Sequence, residues 1–273
     1  MNAVELDLHD YKDVAENYDR YLEVMYAHED NHRGFQEFYL KLAKEYGQGG
    51  VVDVACGTGA VLLYLAERGI SVDGTDLSEE MCRVSLAKAK EKGLDLKVYP
   101  ADMTKFSSGR KYSLAIIARS GFMHLPTPKL QREALCNLRE QLLTGGILTL
   151  NTFDPFPILQ AAQMQNTLDG YSLRLEYVNS EGKRERIYNA ITYEPISQIL
   201  HGNWKFETLD DDGNVIGERI RPLTMRQTYR QEMYYLAELC GFEVEALYQD
   251  YDFHPAGKDA CVKNLIWILR KKN

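Results

Sequence analysis

The residues best suited to chemistry lie in the segment VVDVACGTGAVLLYLAERG, which starts at Val51. Gly57 and Gly59 stand between an apolar, strand-like run and a segment with helical periodicity. Glycines let a ligand approach the backbone, and the N-terminus of a helix offers unpaired N–H groups to an anion. A dinucleotide-binding turn, G-x-G-x-x-G, needs a third glycine where this chain has Leu62, and Asp53 lies inside the strand. The turn therefore favours a nucleoside-like ligand and disfavours a nicotinamide cofactor.

Two carboxylates farther along the chain extend this predicted site. Asp76 ends the second strand-like run, and a carboxylate there can accept hydrogen bonds from both hydroxyls of a ribose. Asp102 follows the third run and precedes Met103, a pair suited to the amino group and the face of an adenine. The carboxyl ends of parallel strands meet at one sheet edge, where open α/β folds bind ligands. Because the sequence has no G-x-x-x-x-G-K-[ST] loop, the pattern predicts an adenosine site without a phosphate cradle.

The elements that must position these residues alternate between strands and helices. Strands are predicted, with helical segments between most of them, at 51–55, 70–75, 96–99, 112–118 and 147–153. Ser78 and Thr127 stand at predicted helix N-caps, and Gly145-Gly146 at a predicted helix end. Alternation at this spacing is typical of right-handed βαβ units and a mainly parallel sheet.

The pattern changes after Asp154-Pro155. Residues 171–221 carry β-rich stretches separated by the polar turns SEGK and DDDGN, which predicts an antiparallel insertion built of hairpins. A helix follows, with Thr228 and Gln231 as its predicted capping box. Two closing strands are predicted at 242–248 and 264–270.

The composition limits the classes of protein to which the chain can belong. It has 273 residues, a net charge of −8 and 45% hydrophobic residues, as in ordinary globular proteins, and this charge lacks the basic footprint of a nucleic-acid binder. The five cysteines have no zinc-ligand spacing and favour a reducing, cytoplasmic location. The acidic N-terminus predicts no signal peptide, and no apolar run reaches the ~18–20 residues of a membrane span. We therefore expect no metal site, no membrane segment and no nucleic-acid partner.

Five segments together resemble the motifs of class I S-adenosylmethionine-dependent methyltransferases, in particular the branch that methylates small molecules such as glycine, sarcosine and amino sugars. The segments are VVDVACGTG, VDGTDLSEEM, ADMTKF, YSLAIIARSGFMHL and LREQLLTGGILTLNTF. The resemblance is most specific over residues 51–153 and continues in TYRQEMYYLAELCGFEVEALYQDYD. It implies a Rossmann-like α/β fold. Such a fold has a seven-stranded, mostly parallel sheet with an antiparallel last strand, helices on both faces, and here an antiparallel β-insertion between strands five and six.

The resemblance also implies a division of the chain into three parts. Residues 1–46 would form an N-terminal helical lid. Residues 47–155 and 222–273 would form the S-adenosylmethionine-binding methyltransferase domain. Residues 156–221 would form the β-rich insertion that covers the acceptor site.

The resemblance implies S-adenosylmethionine as the cofactor and gives roles to residues of the central motifs. The methionine part of the cofactor would lie along the first turn, at Ala55, Gly57 and Gly59. Asp76 would hold the ribose hydroxyls, and the backbone carbonyl of Ala118 would meet the cofactor's amino group. Four neighbouring residues would flank the ribose and adenine: Leu77, Met81, Asp102 and Met103.

The N-terminal segment resembles the lid helix of glycine N-methyltransferase-like enzymes. In that helix an arginine binds the cofactor carboxylate, and a tyrosine two turns earlier covers it. Arg33 and Tyr26 have this spacing here, and Tyr18 is a further candidate. Arg119, after the fourth strand, is also a candidate cofactor-binding residue.

The implied reaction is an in-line displacement that needs neither a metal nor a covalent enzyme intermediate. Holding the nucleophile ~3–3.5 Å from the methyl carbon can supply ~7–11 kcal/mol of the barrier. His124 is the candidate catalytic residue, as a base or an orienting group, although a loop histidine can also simply pack or cap a helix. The candidate acceptor-binding residues are Ser120, His201, Trp204, Arg221 and Tyr229.

The sequence therefore predicts an enzyme that moves a methyl group to a nitrogen or oxygen atom of a small molecule. Two alternatives stay open: a tRNA or protein methyltransferase of the same fold, and a non-catalytic nucleotide-binding module. A nicotinamide oxidoreductase is disfavoured by Leu62. The chain is expected to be a monomer or a homodimer.

Overall fold

A computed structural model describes four stretches of the chain, residues 15–27, 34–153, 170–257 and 264–273. Their helices are α1 (Tyr18–Tyr26), α2 (Phe35–Tyr46), α3 (Leu62–Ala66), α4 (Glu79–Glu91), α5 (Pro128–Gln141) and α6 (Arg230–Leu239). Their strands are β1 (Val51–Val54), β2 (Val72–Asp76), β3 (Val98–Pro100), β4 (Tyr112–Ile117), β5 (Leu142–Thr152), β6 (Ser172–Val178), β7 (Arg184–Glu194), β8 (Ile199–Leu209), β9 (Val215–Arg226), β10 (Phe242–Tyr248) and β11 (Leu265–Lys271). No helix in these stretches has the length and apolar character needed to cross a membrane.

The larger sheet carries the predicted site. Over the described residues it has seven strands in the order β10–β11–β5–β4–β1–β2–β3. Strands β1 to β5 pair in parallel, whereas β11 is antiparallel to both of its neighbours, β5 and β10. The chain leaves β1 toward β2 on one side and later returns to β4 on the other, which makes a crevice at the carboxyl ends of β1 and β4. The predicted Rossmann-like sheet with an antiparallel last strand is confirmed.

Two cores hold helices on opposite faces of this sheet. Successive side chains of a strand point to opposite faces, so alternate residues of β4 enter different cores. Leu114 and Ile116 pack in the core that contains residues of α2 and α3. Ala115 and Ile117 pack in the core that contains residues of α5 and α6. The sheet is thus covered on both faces, as the α/β prediction requires.

The smaller sheet is antiparallel and has the order β6–β7–β8–β9. Its position between β5 and β10 confirms the predicted β-insertion. Hairpin turns join its strands where residues 179–183 and 210–214 close on themselves, at the predicted turns SEGK and DDDGN. The sheet runs to Arg226, past the predicted boundary at residue 221, because the last residues of β9 still pair with the start of β8.

Two local predictions are wrong. Strand β5 begins at Leu142 instead of residue 147, because α5 ends at Gln141 and Gly145, with φ of 71°, bends the strand instead of ending the helix. The capping box is also absent, since α6 starts at Arg230 after Tyr229 and has no side-chain cap. The hydroxyl of Thr228 instead donates to the side chain of Gln131 at 3.0 Å and accepts from Arg226 at 3.4 Å, so buried contacts hold the group that would have capped the helix.

Candidate functional site

A cavity of about 140 Å³ opens at the carboxyl edge of the larger sheet, beside the ends of β1, β2, β3 and β4. Since a water molecule takes up ~30 Å³ of the liquid, the cavity has room for a ligand larger than a single water. It is the place where the three predicted loops come together. The predicted residues that line it are Tyr18, Ala55, Gly57, Asp76, Leu77, Met81, Asp102, Met103, Ala118, Arg119 and His124.

The turn after β1 has a left-handed backbone at three positions. The φ angle is 55° at Ala55, 56° at Gly57 and 88° at Gly59. A Cβ added to Gly57 would meet no described atom within 4 Å, so this glycine faces open space that a ligand can fill. Gly59 has a different use, because a Cβ there would lie 2.6 Å from the Ser85 hydroxyl of α4. Gly59 therefore allows close packing against α4. It is not among the residues that line the described cavity, and its predicted role in cofactor binding stays a prediction.

Asp76 joins the ends of β1 and β2. Its Oδ2 accepts the backbone N–H of Gly57 at 2.8 Å, and its Oδ1 accepts that of Ser78 at 2.9 Å. Desolvation raises the pKa of the Asp76 carboxyl, and the N–H groups of Ser78 and Gly57 limit that rise. Each carboxylate oxygen still has a second lone pair, so the side chain can also accept hydrogen bonds from a ligand.

Asp53 is the buried carboxyl of the site. It is 1% exposed and lines the cavity, and its Oδ2 accepts the backbone N–H of Leu62 at 3.1 Å. Its Oδ1 has no hydrogen-bond partner among the described residues. Burial raises the pKa of Asp53 to about 8, the Leu62 N–H opposes the rise, and the nearby Asp76 adds to it. A cationic or hydrogen-bond-donating ligand group would satisfy this carboxyl.

The loop after β3 presents Asp102 and Met103 to the cavity. Asp102 Oδ1 accepts both the backbone N–H and the hydroxyl of Thr104, each at 2.8 Å. Asn137 of α5 donates to the carbonyl oxygens of Met103 and Phe106, each at 3.1 Å. The loop is therefore held from two sides, which fixes the carboxylate and the thioether at the cavity wall.

The segment after β4 is held in a strained turn. Arg119 and Ser120 have φ of 50° and 60°, a left-handed conformation that costs a non-glycine residue about 1–3 kcal/mol. The buried Asn151 holds the turn, because its Oδ1 accepts the Ser120 N–H at 2.9 Å and its Nδ2 donates to the Ser120 hydroxyl at 3.2 Å. Ala118, Arg119 and His124 line the cavity, whereas Ser120 is not among its lining residues and its acceptor-binding role stays a prediction.

Helix α1 forms one wall of the cavity through Tyr18. Its Asp19 accepts a hydrogen bond from the Thr58 hydroxyl at 2.6 Å and forms an ion pair with Lys88 of α4. Lys88 also donates to the carbonyl oxygen of Thr58 at 3.0 Å. The same face of α1 also contacts the smaller sheet, because Tyr21, whose ring lies 5.3 Å from that of Tyr18, packs against residues of β6, β7 and β8. The helix thus contacts both the cavity and that sheet and is fastened to the turn after β1.

Several predicted site residues lie away from the cavity wall, and their binding roles stay predictions. Tyr26 stacks near Arg119 instead of lining the cavity, and Arg33 is outside the described residues. Trp204 packs near Tyr21 of α1, with ring centroids 6.2 Å apart. The others lie on or after the strands of the smaller sheet, where they are not among the residues that line the described cavity: His201, Arg221 and Tyr229.

Some wall residues were given no ligand-binding role by the sequence analysis, although most of them lie inside the quoted motifs. Phe35, Cys56, Thr58 and Leu125 line the cavity, and so does Asp53. Asp53 is an acidic residue inside an otherwise apolar strand, which could have indicated a site residue. In the sequence it counted only as evidence against a dinucleotide-binding site. Phe35 had no such indication, because an aromatic residue in an amphipathic helix is by default a core residue.

Comparison with known proteins agrees with this geometry. Residues 51–146 match the model of the methyltransferase domain family. Rabbit (Oryctolagus cuniculus) glycine N-methyltransferase is 29% identical over 133 residues, which are 43% of this chain and 45% of that protein. The dTDP-3-amino-3,6-dideoxy-alpha-D-glucopyranose N,N-dimethyltransferase of Streptomyces fradiae is 33% identical over 100 residues, 37% of this chain and 38% of that protein. The chain thus spans about half the length, or less, of these relatives.

A solved structure extends the likeness to almost the whole fold. The S-adenosylmethionine-dependent methyltransferase from Clostridium acetobutylicum ATCC 824 has a TM-score of 0.76 and is 15% identical, and the match covers 96% of this chain and 99% of that one. At this identity the likeness concerns the fold. The resemblance found in the five sequence motifs is confirmed.

Proposed function

We propose that this chain, whose residues 51–146 belong to the methyltransferase domain family, is an S-adenosylmethionine-dependent methyltransferase that acts on a small molecule. One observation carries the proposal: a single cavity collects the turn after β1, the carboxylate at the end of β2 and the Asp-Met pair after β3. These are the three features that the sequence assigns to an adenosine site without a phosphate cradle.

The wall of the cavity fits this cofactor in three respects. The open space beside Gly57 would take an extended chain lying against the backbone. The unpartnered Oδ1 of Asp53 would accept a hydrogen bond from an ammonium group, directly or through water. Asp76 and Asp102 would accept from hydroxyl and amino groups, and the side chains of Met81 and Met103 offer polarisable apolar contacts to a ring.

The bound cofactor would supply a methyl group activated by a sulfonium, for direct transfer to a nitrogen or oxygen atom of the acceptor. The chain's own task is then to bind and orient the reactants and to exclude water. Tyr18 and α1 would close the cavity over the ligand. His124, at the β4 side of the wall, would orient the acceptor or take its proton.

A nitrogen acceptor is favoured by the relatives. The rabbit protein is named for methylation of glycine and the Streptomyces fradiae protein for methylation of an amino sugar. We extend this to the present chain and propose a small amine as the first acceptor class to test. The cytoplasmic location and the monomeric or homodimeric state stay predictions.

The test is binding followed by turnover. S-adenosylmethionine and S-adenosylhomocysteine should each raise the melting temperature by several degrees at about 100 times Kd, where binding contributes ~2.7 kcal/mol. NAD and NADP should leave it unchanged. Glycine, sarcosine and amino sugars are then screened for acceptor-dependent release of S-adenosylhomocysteine. Stabilisation by NAD but not by S-adenosylhomocysteine would overturn the proposal, and binding without turnover on any acceptor, nucleic acids and proteins included, would reduce the chain to a binding module.

A further inference from the structure

Arg119 is a half-buried residue that carries two buried guanidinium nitrogens without hydrogen-bond partners among the described residues. The residue lines the cavity, and the two nitrogens are Nε and Nη1. The guanidinium group is a strong donor with no acceptor atoms of its own, so burying its N–H groups without acceptors destabilises the fold. An arrangement of this kind is stable when a ligand supplies the acceptors.

The surroundings of Arg119 hold the guanidinium in place without using its N–H groups. Its Cζ lies 4.8 Å from the centre of the Phe35 ring and 5.2 Å from that of Tyr26. Aromatic faces attract the cation but leave the in-plane donors free. The strained turn at Arg119 and Ser120, held by Asn151, sets the direction of the side chain. The aromatic rings and the strained turn therefore each help to hold the planar N–H donors of Arg119 in position.

The charges around the cavity also single out Arg119. Three carboxylic acids line the cavity: Asp53, Asp76 and Asp102. Among the described residues that line it, Arg119 is the one arginine or lysine. The acids suit the cationic and hydroxyl-bearing parts of a ligand. The guanidinium suits an anionic part, and its planar fork matches a carboxylate through two parallel hydrogen bonds.

We propose that Arg119 is the carboxylate-binding residue of the cavity. The inference rests on the proposed function and refines it. The carboxylate has two possible sources, the amino-acid end of the cofactor or the acceptor itself. In the second case the acceptor class is narrowed to small molecules that bear a carboxylate, such as amino acids. The two sources are separated by experiment.

The experiment compares the wild-type chain with Arg119→Gln and Arg119→Lys by calorimetry. Two ligands are titrated: S-adenosylhomocysteine, and 5′-methylthioadenosine, which keeps the adenosine and the thioether but lacks the amino and carboxylate groups. If the cofactor carboxylate binds Arg119, Arg119→Gln lowers the affinity for S-adenosylhomocysteine at least 10-fold and that for 5′-methylthioadenosine less than 2-fold. Arg119→Lys keeps the positive charge but loses the planar pair of N–H donors. Its affinity for S-adenosylhomocysteine should lie between those of the wild type and Arg119→Gln.

The second arm tests the acceptor. Acetate is titrated, with chloride at equal ionic strength, into the S-adenosylhomocysteine complex of each variant, and the melting temperature is followed. If the acceptor carboxylate binds Arg119, acetate stabilises the wild-type complex but not the Arg119→Gln complex, while the affinity for S-adenosylhomocysteine stays unchanged. Arg174→Gln, at an exposed position of β6, is the matched control and should behave as wild type in both arms.

The outcomes are distinct. Loss of binding in either arm supports the proposal and identifies the source. If Arg119→Gln retains wild-type affinity for S-adenosylhomocysteine and a wild-type response to acetate, Arg119 binds no carboxylate and the proposal is wrong. A failure of the wild-type chain to bind S-adenosylhomocysteine at all would instead overturn the proposed function. Circular dichroism of both variants establishes folding, and Arg119→Lys keeps the test valid if Arg119→Gln does not fold.

Discussion

Gly57 donates its backbone N–H to the Oδ2 of Asp76 over 2.8 Å, so the turn after the first strand and the end of the second strand are one hydrogen-bonded unit. The same carboxylate accepts the Ser78 N–H that opens α4. Asp76 therefore organises the backbone of the cavity as well as offering acceptors to a ligand. A loss of this side chain should change both binding and stability.

Asp76→Ala should weaken S-adenosylhomocysteine binding by about 1.5–3 kcal/mol, the range for a hydrogen bond with a charged group, which is roughly 10-fold to 100-fold in Kd. It should also lower the free energy of unfolding, because the N–H groups of Gly57 and Ser78 lose their acceptor. Asp76→Asn keeps one carbonyl oxygen and should lose less stability. Calorimetry and urea unfolding measure the two effects.

Asp95→Asn, at an exposed position before β3, is the control and should leave both quantities unchanged. An Asp76→Ala protein with wild-type affinity for S-adenosylhomocysteine would remove Asp76 from the binding site.

The sequence predicted the parts of this site that follow from local patterns. Glycine turns, strand-end carboxylates and βαβ alternation depend on residues near one another in the chain, so Gly57, Asp76 and Asp102 could be placed on one sheet edge. The role of Gly59 could not, because its need for a missing Cβ comes from Ser85 on α4.

Contacts between distant elements account for the other differences. Nothing near Trp204 in the sequence shows that its ring packs near Tyr21 of α1, with centroids 6.2 Å apart. Likewise Thr228 has the sequence of a helix cap, but its hydroxyl bonds to the distant Gln131 and to Arg226. The acceptor-binding residues stay predictions, because their placement depends on such long-range packing.

Asp53 should make stability depend on pH in an unusual direction. Its pKa is about 8 in the folded chain, well above the value for an exposed carboxyl, so the folded state holds a proton that the unfolded state has lost. Stability therefore falls as pH rises from about 4 to about 8, by up to ~1.4 kcal/mol per pH unit from this group, and levels off above.

Asp53→Asn removes this titration while its amide oxygen can still accept the Leu62 N–H. In urea unfolding without ligand at pH 5, 7 and 9, the variant should gain about 2.7 kcal/mol relative to wild type between pH 5 and 7, and about half as much again between pH 7 and 9. A difference between the two proteins that is constant with pH would show that Asp53 has an ordinary pKa.

Arg226 should be a major contributor to stability. It is 3% exposed. Its guanidinium donates to the side chains of Gln131 of α5 and Gln198 before β8, each at 2.7 Å. It also forms an ion pair with Glu232 of α6 at 2.5 Å. Glu232 is one-third exposed, so water can solvate its charge once the arginine is gone. The main cost is the loss of the charged donor to Gln131 and Gln198, and hydrogen bonds with a charged group typically contribute about 1.5–3 kcal/mol. Arg226→Met should lose about this much in urea unfolding, and Arg174→Met should lose nothing measurable. A loss below about 1 kcal/mol for Arg226→Met would contradict this view of the network.

His124 should affect turnover more than cofactor binding. It lines the cavity in the segment after β4, as Arg119 does. If it takes the acceptor's proton, His124→Asn should lower kcat about 10²–10⁴-fold with the acceptor found by the screen. Its affinity for S-adenosylhomocysteine should stay within 2-fold of wild type, and the exposed His254→Asn should match wild type in both measurements. Unchanged kcat in His124→Asn would make His124 a structural residue.

The attachment of α1 should control how long a ligand stays bound. Asp19 joins α1 to the hydroxyl of Thr58 and to Lys88, so Asp19→Asn weakens the link between the helix and the turn beside the ligand. Charge-assisted hydrogen bonds of this kind contribute about 1.5–3 kcal/mol, less when they are partly exposed as here. We expect S-adenosylhomocysteine to dissociate 3-fold to 10-fold faster, as followed by stopped-flow fluorescence, with little change in its association rate.

The control for this variant is Lys92→Met, at the residue that follows the end of α4, which breaks the exposed Lys92–Glu67 ion pair and should leave dissociation unchanged. Thr58→Val removes the hydroxyl but keeps the ion pair with Lys88, so its effect should be smaller than that of Asp19→Asn. If neither Asp19→Asn nor Thr58→Val changes the dissociation rate, then α1 does not retain the ligand, and the closure of the cavity must depend on another part of the chain.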